Sequence, residues 1–258
     1  MAIPKPKAPQ LRIDHPLVVD LKGAFSLHEE NPPWQCRNII NRVTSNAAAG
    51  TYSRPNGRYG REFSFGASSY INFSQILPYV KTPPFSVAVL CKRHAGTSSS
   101  GVVFWAGGKN TGPWYSHDMS LGTGASVTSR FNNIFHPAGT GVLPYDTREE
   151  YTFLVGVWET TALRKVYVNG LLSGENTGSS DPASRIDTAI AGAAWAGPIQ
   201  DNPFPGVISL LLVANRAWAS VEIAELATDP FAMFRPRRFW VPMGAAAVGN
   251  PRYYYAQQ

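Results

Sequence analysis

The chain has 258 residues, enough for one large all-β domain or two small ones, and its 44% hydrophobic content excludes wholesale disorder. The formal net charge of +6 is moderate, because charged residues make up only 16% of the chain; it favours either a solvated basic surface or an anionic partner such as a capsid surface, a polysaccharide or a nucleic acid. Only Arg235, Arg237 and Arg238 approach the clustered basic pattern of a nucleic-acid binder, so nucleic acid is not the expected partner.

The two cysteines, Cys36 and Cys91, match neither the spacing of a metal knuckle nor that of a redox motif. One disulfide bridge or two buried, reduced thiols are compatible with the sequence, and we expect the reduced thiols. Residues 1–13 lack the apolar core of a signal peptide, and no run approaches the length of a membrane span. We therefore expect synthesis in a cytoplasm, no export by the usual route and no membrane partner.

Residues 1–16 contain four prolines and form an extended arm, either a loose terminus or a segment that orders against a neighbouring subunit. The next eleven positions form the first predicted strand, in which Gly23 marks a bend. Apolar runs and period-two alternation predict the other strands at residues 60–65, 69–73, 85–92, 101–106, 117–121, 126–131, 151–159, 163–168, 188–193 and 207–214. The last of these is the most apolar, so we expect it to be central and buried.

The strands at residues 151–159 and 163–168 are separated by a short polar break and therefore predict a β-hairpin. Asn169-Gly170 follows as a strong turn signal. Alternation in the second strand predicts that one set of side chains faces the core and the other faces solvent. Residues 171–187 are expected to be a loop.

A single helix is predicted at residues 220–226, with Val221, Ile223 and Leu226 on its packed face. Asp229-Pro230 ends it. Its N-cap, Ala219, has no side-chain acceptor, so the helix should be short and held by packing. With no internal repeat, we expect one domain at residues 17–234 between the arm at 1–16 and a tail at 235–258.

Four motifs in this order resemble the laminin-G, concanavalin A-like jelly-roll domains. They are Lys165 to Gly170 (KVYVNG), Phe204 to Ile208 (FPGVI), Asn215 to Trp218 (NRAW) and Glu222-Ile223, with weaker opening motifs at Gly23 to Phe25 and at residues 63–73. The resemblance covers residues 17–234. It implies an all-β, concanavalin A-like (laminin-G-like) jelly-roll β-sandwich with one short helix near the C-terminus. The family normally has Ser at the position of Ala219, a departure that affects only the helix cap.

The stretch from residue 229 to 238 is similar to endings that follow such domains in virion proteins of tailed bacteriophages. This resemblance implies a structural protein of the virion, present in several copies or as a homo-oligomer beside other capsid or tail subunits. The interface candidates are Arg235, Arg237, Arg238, Phe239 and Trp240, because arginine forks and large aromatic rings anchor interfaces. The alternative is that the rings cover a sandwich edge and the arginines stay solvated.

Glucanases of this fold need two carboxylates on one strand face, and no E-x-D-x-E or E-x-D-x-x-E run occurs here. Glu29-Glu30 are adjacent, the acidic residues at 146–150 belong to a loop, and Glu222 and Glu225 are expected to face solvent from the helix. The five histidines lack metal-binding spacing. We therefore expect no enzyme activity.

Asp118 and Asn132-Asn133 are candidate oxygen ligands for a calcium ion, and no other cofactor is expected. Trp105, Trp114 and Tyr115 could stack on sugar rings if they are exposed, and otherwise they pack in the core or at its rim. The sequence thus predicts a non-enzymatic virion structural protein that docks through its chain ends. The alternative is a carbohydrate-binding, lectin-like module that attaches to a glycan.

Overall fold

The computed structural model describes residues 11–12, 14–26, 35–41, 44–46, 52–57, 60–65, 69–94, 101–108, 115–121, 125–131, 134–138, 150–196, 199–201 and 203–234. The strands are β1 (Leu21–Ser26), β2 (Gln35–Arg37), β3 (Thr44–Asn46), β4 (Tyr52–Gly57), β5 (Gly60–Ser64), β6 (Ile71–Asn72), β7 (Phe85–Arg93), β8 (Gly101–Gly107), β9 (Ser116–Leu121), β10 (Ala125–Phe131), β11 (Ile134–Ala138), β12 (Thr152–Trp158), β13 (Arg164–Val168), β14 (Leu171–Asn176), β15 (Thr188–Ala191), β16 (Ala194–Ala196), β17 (Ile199–Asp201) and β18 (Gly206–Ala214). The α-helix α1 spans Ser220–Thr228. Short 3-10 helices lie at Pro16–Val18, Ser74–Tyr79, Ala183–Arg185 and Ala232–Phe234.

Two antiparallel sheets form the sandwich, which confirms the predicted all-β jelly-roll class. The larger sheet has the order β14-β13-β12-β7-β18-β5-β4, and β1 also pairs with β18. The smaller sheet has the order β11-β10-β9-β8-β15-β6. Strand β18 is buried along its whole length and contacts β7 on one side, with β5 and then β1 on the other. The prediction that this apolar run is central is therefore confirmed.

The main core lies between the two sheets and is dominated by aromatic and β-branched side chains. Phe25 and Phe73 pack with ring centroids 4.4 Å apart, and Phe85 stacks on Trp158 at 4.6 Å. Val87 and Val89 belong to the same core and have no exposed surface. Cys91, on the same strand, is a buried free thiol, and burial raises its pKa.

A second apolar layer covers the outer face of the larger sheet. Helix α1 contributes Ile223 and Leu226 to this layer, and Phe231 and Leu17 pack beside them with no exposed surface. The sequence had placed one face of the hairpin strand β13 in solvent, but Tyr167 on that face is only 6% exposed. The prediction is wrong at this position because the helical layer covers the sheet.

The predicted hairpin is present as β12 and β13, and Asn169-Gly170 forms its following turn with φ values of 49° and 87°. Both residues adopt the left-handed conformation that a type I′ turn needs. The chain then continues as the edge strand β14, where the sequence analysis expected a loop. The sequence does not predict β14 because this strand is largely exposed and so lacks an alternating apolar pattern.

Helix α1 begins after Ala219, as predicted, and runs two residues beyond the predicted end at Leu226, to Thr228, with Asp229 as its C-cap. Ile223 and Leu226 are buried as expected, whereas Val221 is 73% exposed and was wrongly assigned to the packed face. Among the described residues, no helix is long and apolar enough to cross a membrane.

The arm boundary at residue 16 stays a prediction. In the structure, the backbone N–H of Arg12 donates to the carbonyl oxygen of Met233 at 2.8 Å, and His15 is only 6% exposed. The end of the predicted arm therefore lies against the sandwich. Residues 1–10 and the tail at 235–258, including all five interface candidates, lie outside the described residues.

Candidate functional site

Trp105, a sequence-predicted stacking residue, lies on β8 and is 1% exposed. It packs with Val102, Ile190 and Ala193 on the outer face of the smaller sheet. Its indole also lies over Gly107, two residues along the same strand, so closely that any Cβ there would collide with the ring. This close packing removes Trp105 from the candidates for sugar stacking, and the glycine next to it is what makes room for it.

Tyr115 is half-buried just before β9, and of the two candidates that the structure describes it is the one that keeps access to solvent. The guanidinium carbon of Arg185 lies 5.7 Å from the centroid of its ring, close enough for a cation–π contact. Trp114, the third aromatic candidate, lies outside the described residues. Tyr115 and Arg185 therefore form a cation–ring pair at one end of the smaller sheet.

Asp187 lies beside this pair and is exposed. Its backbone N–H donates to the carbonyl oxygen of Gly107 at 3.1 Å, which fastens the segment carrying Arg185 to the end of β8. Its carboxylate accepts a 2.8 Å hydrogen bond from the hydroxyl of Thr188. We define the polar surface as Tyr115, Arg185, Asp187 and Thr188. It combines a ring face, a fork of donors and a carboxylate, which together can bind a molecule that carries both C–H and hydroxyl groups.

The predicted calcium ligand Asp118 lies on β9 and is only 2% exposed. Its carboxylate accepts a 3.2 Å hydrogen bond from the Ser116 hydroxyl, while Asn132 and Asn133 lie outside the described residues. Within the described part of the chain, no group of three or more His, Cys, Asp or Glu residues could hold a metal ion. Calcium binding stays a prediction.

His117, next to Asp118, points into the core. Its ring lies 5.2 Å from Phe85 and 5.7 Å from Trp158, and its Nε2 is 3.2 Å from the carbonyl oxygen of Lys81. Burial lowers its pKa to about 3, with a smaller contribution from the charge of the buried Arg164. His117 is thus a neutral core residue and belongs to no exposed site.

Sequence reasoning missed a polar cluster on the outer face of the larger sheet. Glu62 on β5 is 2% exposed and accepts hydrogen bonds from the hydroxyl of Tyr151 and, at 2.9 Å, from that of Ser209. The Nζ of Lys92 lies 5.9 Å from the Tyr151 ring centroid. The polar Ser209 within the apolar run of β18 is the one sequence signal that pointed here.

The Glu62 cluster joins three strands and does not resemble a hydrolytic site. The two hydrogen-bond donors to Glu62 are hydroxyl groups, whereas glycoside hydrolysis needs a second carboxylate about 5 to 9.5 Å away. The buried carboxylate of Glu62 has lost its hydrogen bonds to water, and the bonds from these two hydroxyl groups compensate for that loss. We therefore assign the cluster a structural role at the point where β18 changes partner from β5 to β1.

The motif around Glu222 is also structural, which corrects the expectation that this carboxylate faces solvent. Its oxygens accept two hydrogen bonds from the Arg216 guanidinium, at 2.6 and 2.8 Å, and one at 2.8 Å from the N–H of Ala219. The Arg216 pair holds the pKa of Glu222 below its usual value. Glu222 thereby forms one half of a capping box, in which the N3 carboxylate accepts from the N-cap N–H, while the half that needs an N-cap side chain is missing at Ala219.

Residues 65–224 match the laminin-G family model of the concanavalin A-like lectin/glucanases superfamily. The chain belongs to this superfamily. No curated protein matches the chain. The match spans both sheets and most of helix α1, and therefore includes the polar surface.

Among solved structures, the chain is similar to domain 4 of AbnA, an extracellular GH43 arabinanase from Geobacillus stearothermophilus, whose structure is in complex with arabinotriose. The TM-score is 0.61 at 18% sequence identity, and the match covers 81% of this chain and 98% of that domain. It is also similar to the CBM40 of the Ruminococcus gnavus IT-sialidase bound to α2,3-sialyllactose, with a TM-score of 0.53 at 12% identity, over 64% and 95% of the two chains. Botulinum neurotoxin type C, whose cell entry depends on two ganglioside molecules, matches with a TM-score of 0.58 at 11% identity, over 81% of this chain and 51% of the toxin chain. At these identities the similarity is one of fold.

Proposed function

We propose that the protein is a non-catalytic glycan-binding module. The observation that carries the proposal is that the chain spans 98% of the length of a similar domain bound to arabinotriose. A second similar domain binds sialyllactose, so glycan binding recurs among proteins with this architecture.

The polar surface is the proposed binding site. The half-buried ring of Tyr115 would pack against the C–H face of a sugar, while Arg185 and Asp187 would bind its hydroxyl groups. Arg185 already lies over the ring, so a sugar must displace it or bind beside it. A sugar carboxylate would gain an additional ion pair with the guanidinium.

Calorimetric titration with arabinotriose and with sialyllactose tests the proposal. We expect at least one of the two to bind, and Tyr115→Ala to weaken that binding by about tenfold or more, as loss of an aromatic anchor does. Tyr79→Ala is the matched control, because Lys22 lies 5.8 Å from the Tyr79 ring in a second cation–ring pair outside the polar surface. If neither sugar binds, a glycan array screened with and without calcium decides the question, and a blank array contradicts the proposal.

Arg185→Gln distinguishes the class of sugar. If the ligand is acidic, removing the guanidinium should weaken sialyllactose binding several-fold more than arabinotriose binding. Equal effects on both sugars would indicate that Arg185 binds only hydroxyl groups.

A second candidate function is a structural role in a bacteriophage particle, with the protein located in the virion and present in several copies. The observation that favours it is the arginine- and aromatic-rich ending, with Arg235, Arg237, Arg238, Phe239 and Trp240 as the candidate contacts. Deleting residues 235–258 should abolish association with particles while circular dichroism still reports a folded sandwich. Normal decoration of particles by the truncated protein would contradict this role. The two functions are compatible.

A further inference from the structure

Gly107, the last residue of β8, lies between the two segments that carry the polar surface. It pairs with Ser116 of β9 on one side and with Thr188 of β15 on the other. Neighbouring strands are about 4.8 Å apart, so Ser116 and Thr188 lie about 10 Å from each other across this glycine. Tyr115 directly precedes Ser116, and Thr188 itself belongs to the polar surface. The backbone at residue 107 therefore sets the distance between the two halves of the surface.

Backbone hydrogen bonds fasten both halves of the polar surface to the end of β8. The carbonyl oxygen of Gly107 accepts from the N–H of Asp187 at 3.1 Å. On the other side, the N–H of Gly108 donates to the carbonyl oxygen of Tyr115 at 3.2 Å. Because the two bonds are made by consecutive residues, a displacement at residue 107 reaches both halves.

Residue 107 has no room for a side chain. A Cβ there would collide with Cζ2 of the Trp105 indole, and it would lie 2.6 Å from the indole Cε2 and 2.8 Å from the carbonyl oxygen of Tyr115. Non-bonded carbon atoms normally approach to about 3.5 to 4.0 Å, so contacts this short require a displacement. The oxygen is a backbone atom of Tyr115, and moving it would move the residue that carries the ring.

The indole of Trp105 is not free to relieve this collision by turning away. Trp105 is 1% exposed and packs in an apolar cluster with Val102 and Ile190 on the outer face of the smaller sheet. Close-packed interiors transmit strain and do not absorb it. We therefore expect part of the displacement to reach the backbone of Tyr115.

We propose that Gly107, covered by the indole of Trp105, is a positioning residue of the polar surface. Both residues are buried and do not contact a sugar. Together they fix the contact between Tyr115 and Arg185, whose guanidinium carbon lies 5.7 Å from the ring centroid. Binding groups must be held within about 0.5 Å of their productive geometry, so a shift of Tyr115 lowers affinity without removing any group that binds. The inference rests on the proposed glycan site and gives the buried tryptophan a role in it.

Gly107→Ala tests the proposal, with Gly101→Ala as its matched control. The control makes the same substitution at the other end of β8, where a Cβ would lie 2.5 Å from the Cα of Phe204 and 2.6 Å from the carbonyl oxygen of Pro203. Both alanines thus meet backbone atoms, but residue 101 is about 20 Å from residue 107 along the strand. A general loss of stability would therefore affect both variants alike.

The first measurement needs no ligand. The ring current of Tyr115 shifts the NMR signals of the Arg185 side chain, and the difference between the wild type and Tyr115→Leu gives the size of this shift. We expect Gly107→Ala to lose most of the shift and Gly101→Ala to keep it. An unchanged shift in Gly107→Ala overturns the positioning role, and so does the absence of the shift in the wild type.

The second measurement is calorimetric titration with the sugar that the wild type recognises. Gly107→Ala should weaken binding by about tenfold or more, and Gly101→Ala should leave it within about twofold. Adding Trp105→Leu to Gly107→Ala removes the colliding ring atoms and lets the new methyl group move into their space. The double variant should therefore recover most of the affinity and of the NMR shift, and a folded double variant that recovers neither contradicts the proposal.

The two measurements separate a failure of the inference from a failure of the glycan site. A wild type that binds no sugar contradicts the proposed function, and the Arg185 signal then decides the positioning role alone. Circular dichroism shows whether each variant is folded. If Gly107→Ala does not fold, the double variant decides, because relief of the collision should restore both the fold and the Arg185 shift.

Discussion

Two arginines of this protein, Arg216 and Arg185, differ in their surroundings. Arg216 is 23% exposed, is held by both oxygens of Glu222 and also donates from Nε to the carbonyl oxygen of Val19 at 3.1 Å. Arg185 is exposed and lies over the ring of Tyr115, near Asp187. The first arginine is used within the fold, whereas the second faces solvent and can bind a ligand. The sequence motif Asn215 to Trp218 therefore contains the structural arginine, Arg216, whereas no motif points to Arg185.

The largest expected effect on stability tests the structural role of the pair formed by Arg216 and Glu222. Glu222→Ala removes the bidentate partner of Arg216 and the acceptor for the N–H of Ala219, so we expect a loss of about 2 kcal/mol in the free energy of unfolding, measured by urea denaturation. Sugar affinity should not change. Glu225→Ala is the control on the same helix, since its carboxylate is 52% exposed, and a loss as large as that of Glu222→Ala would contradict the assignment.

The next effect is a pH dependence of stability that arises from the core and not from either arginine. The pKa of His117 is about 3 in the folded protein, against 6.5 for a free imidazole side chain. Between these two pH values, the unfolded chain binds a proton at His117 and the folded chain does not. The contribution of His117 is fully present above pH 6.5 and is lost as the pH falls from there towards 3. At pH 5 it should amount to a loss of about 2 kcal/mol.

Urea denaturation of the wild type and of His117→Phe between pH 7 and pH 5 measures this effect. The variant should lose the His117 part of the pH slope while keeping an aromatic ring against Phe85 and Trp158. Identical slopes for the two proteins would show that His117 has the same pKa in the folded and unfolded chains, which would contradict the lowered pKa.

The sequence predicted the fold well where burial or a turn produces a pattern among neighbouring residues. The apolar run of β18 and the Asn169-Gly170 turn both indicated the correct structure, because their signals lie within a few adjacent residues. The Glu62 cluster could not be predicted in the same way, since Tyr151 is 89 residues and Ser209 is 147 residues from Glu62 in the chain. Such groups are brought together only by the strand order.

Prediction of the candidate site from the sequence is limited in the same way, because its residues are also distant from one another in the chain. Tyr115 was identified from the sequence, but Arg185 and Asp187 were not, because the segment that carries them was expected to be part of a featureless loop. The bond from Asp187 to the end of β8 brings them to the tyrosine. For Trp105 the sequence left sugar stacking and core packing both open, because a tryptophan in a strand looks the same in sequence whether it is exposed or packed over a glycine such as Gly107; the structure shows core packing.

The smallest expected change in stability is that of Arg185→Gln, which tests the binding role of Arg185. Arg185→Gln removes an exposed guanidinium whose described contact is with a half-buried ring, so the free energy of unfolding should change by less than about 0.5 kcal/mol. The same variant should weaken binding of the sugar that the wild type recognises. Measured side by side in urea and in calorimetric titrations, Glu222→Ala should alter stability alone and Arg185→Gln should alter binding alone. If Arg185→Gln instead lowers stability as much as Glu222→Ala, then Arg185 is a second structural arginine and the binding surface must lie elsewhere.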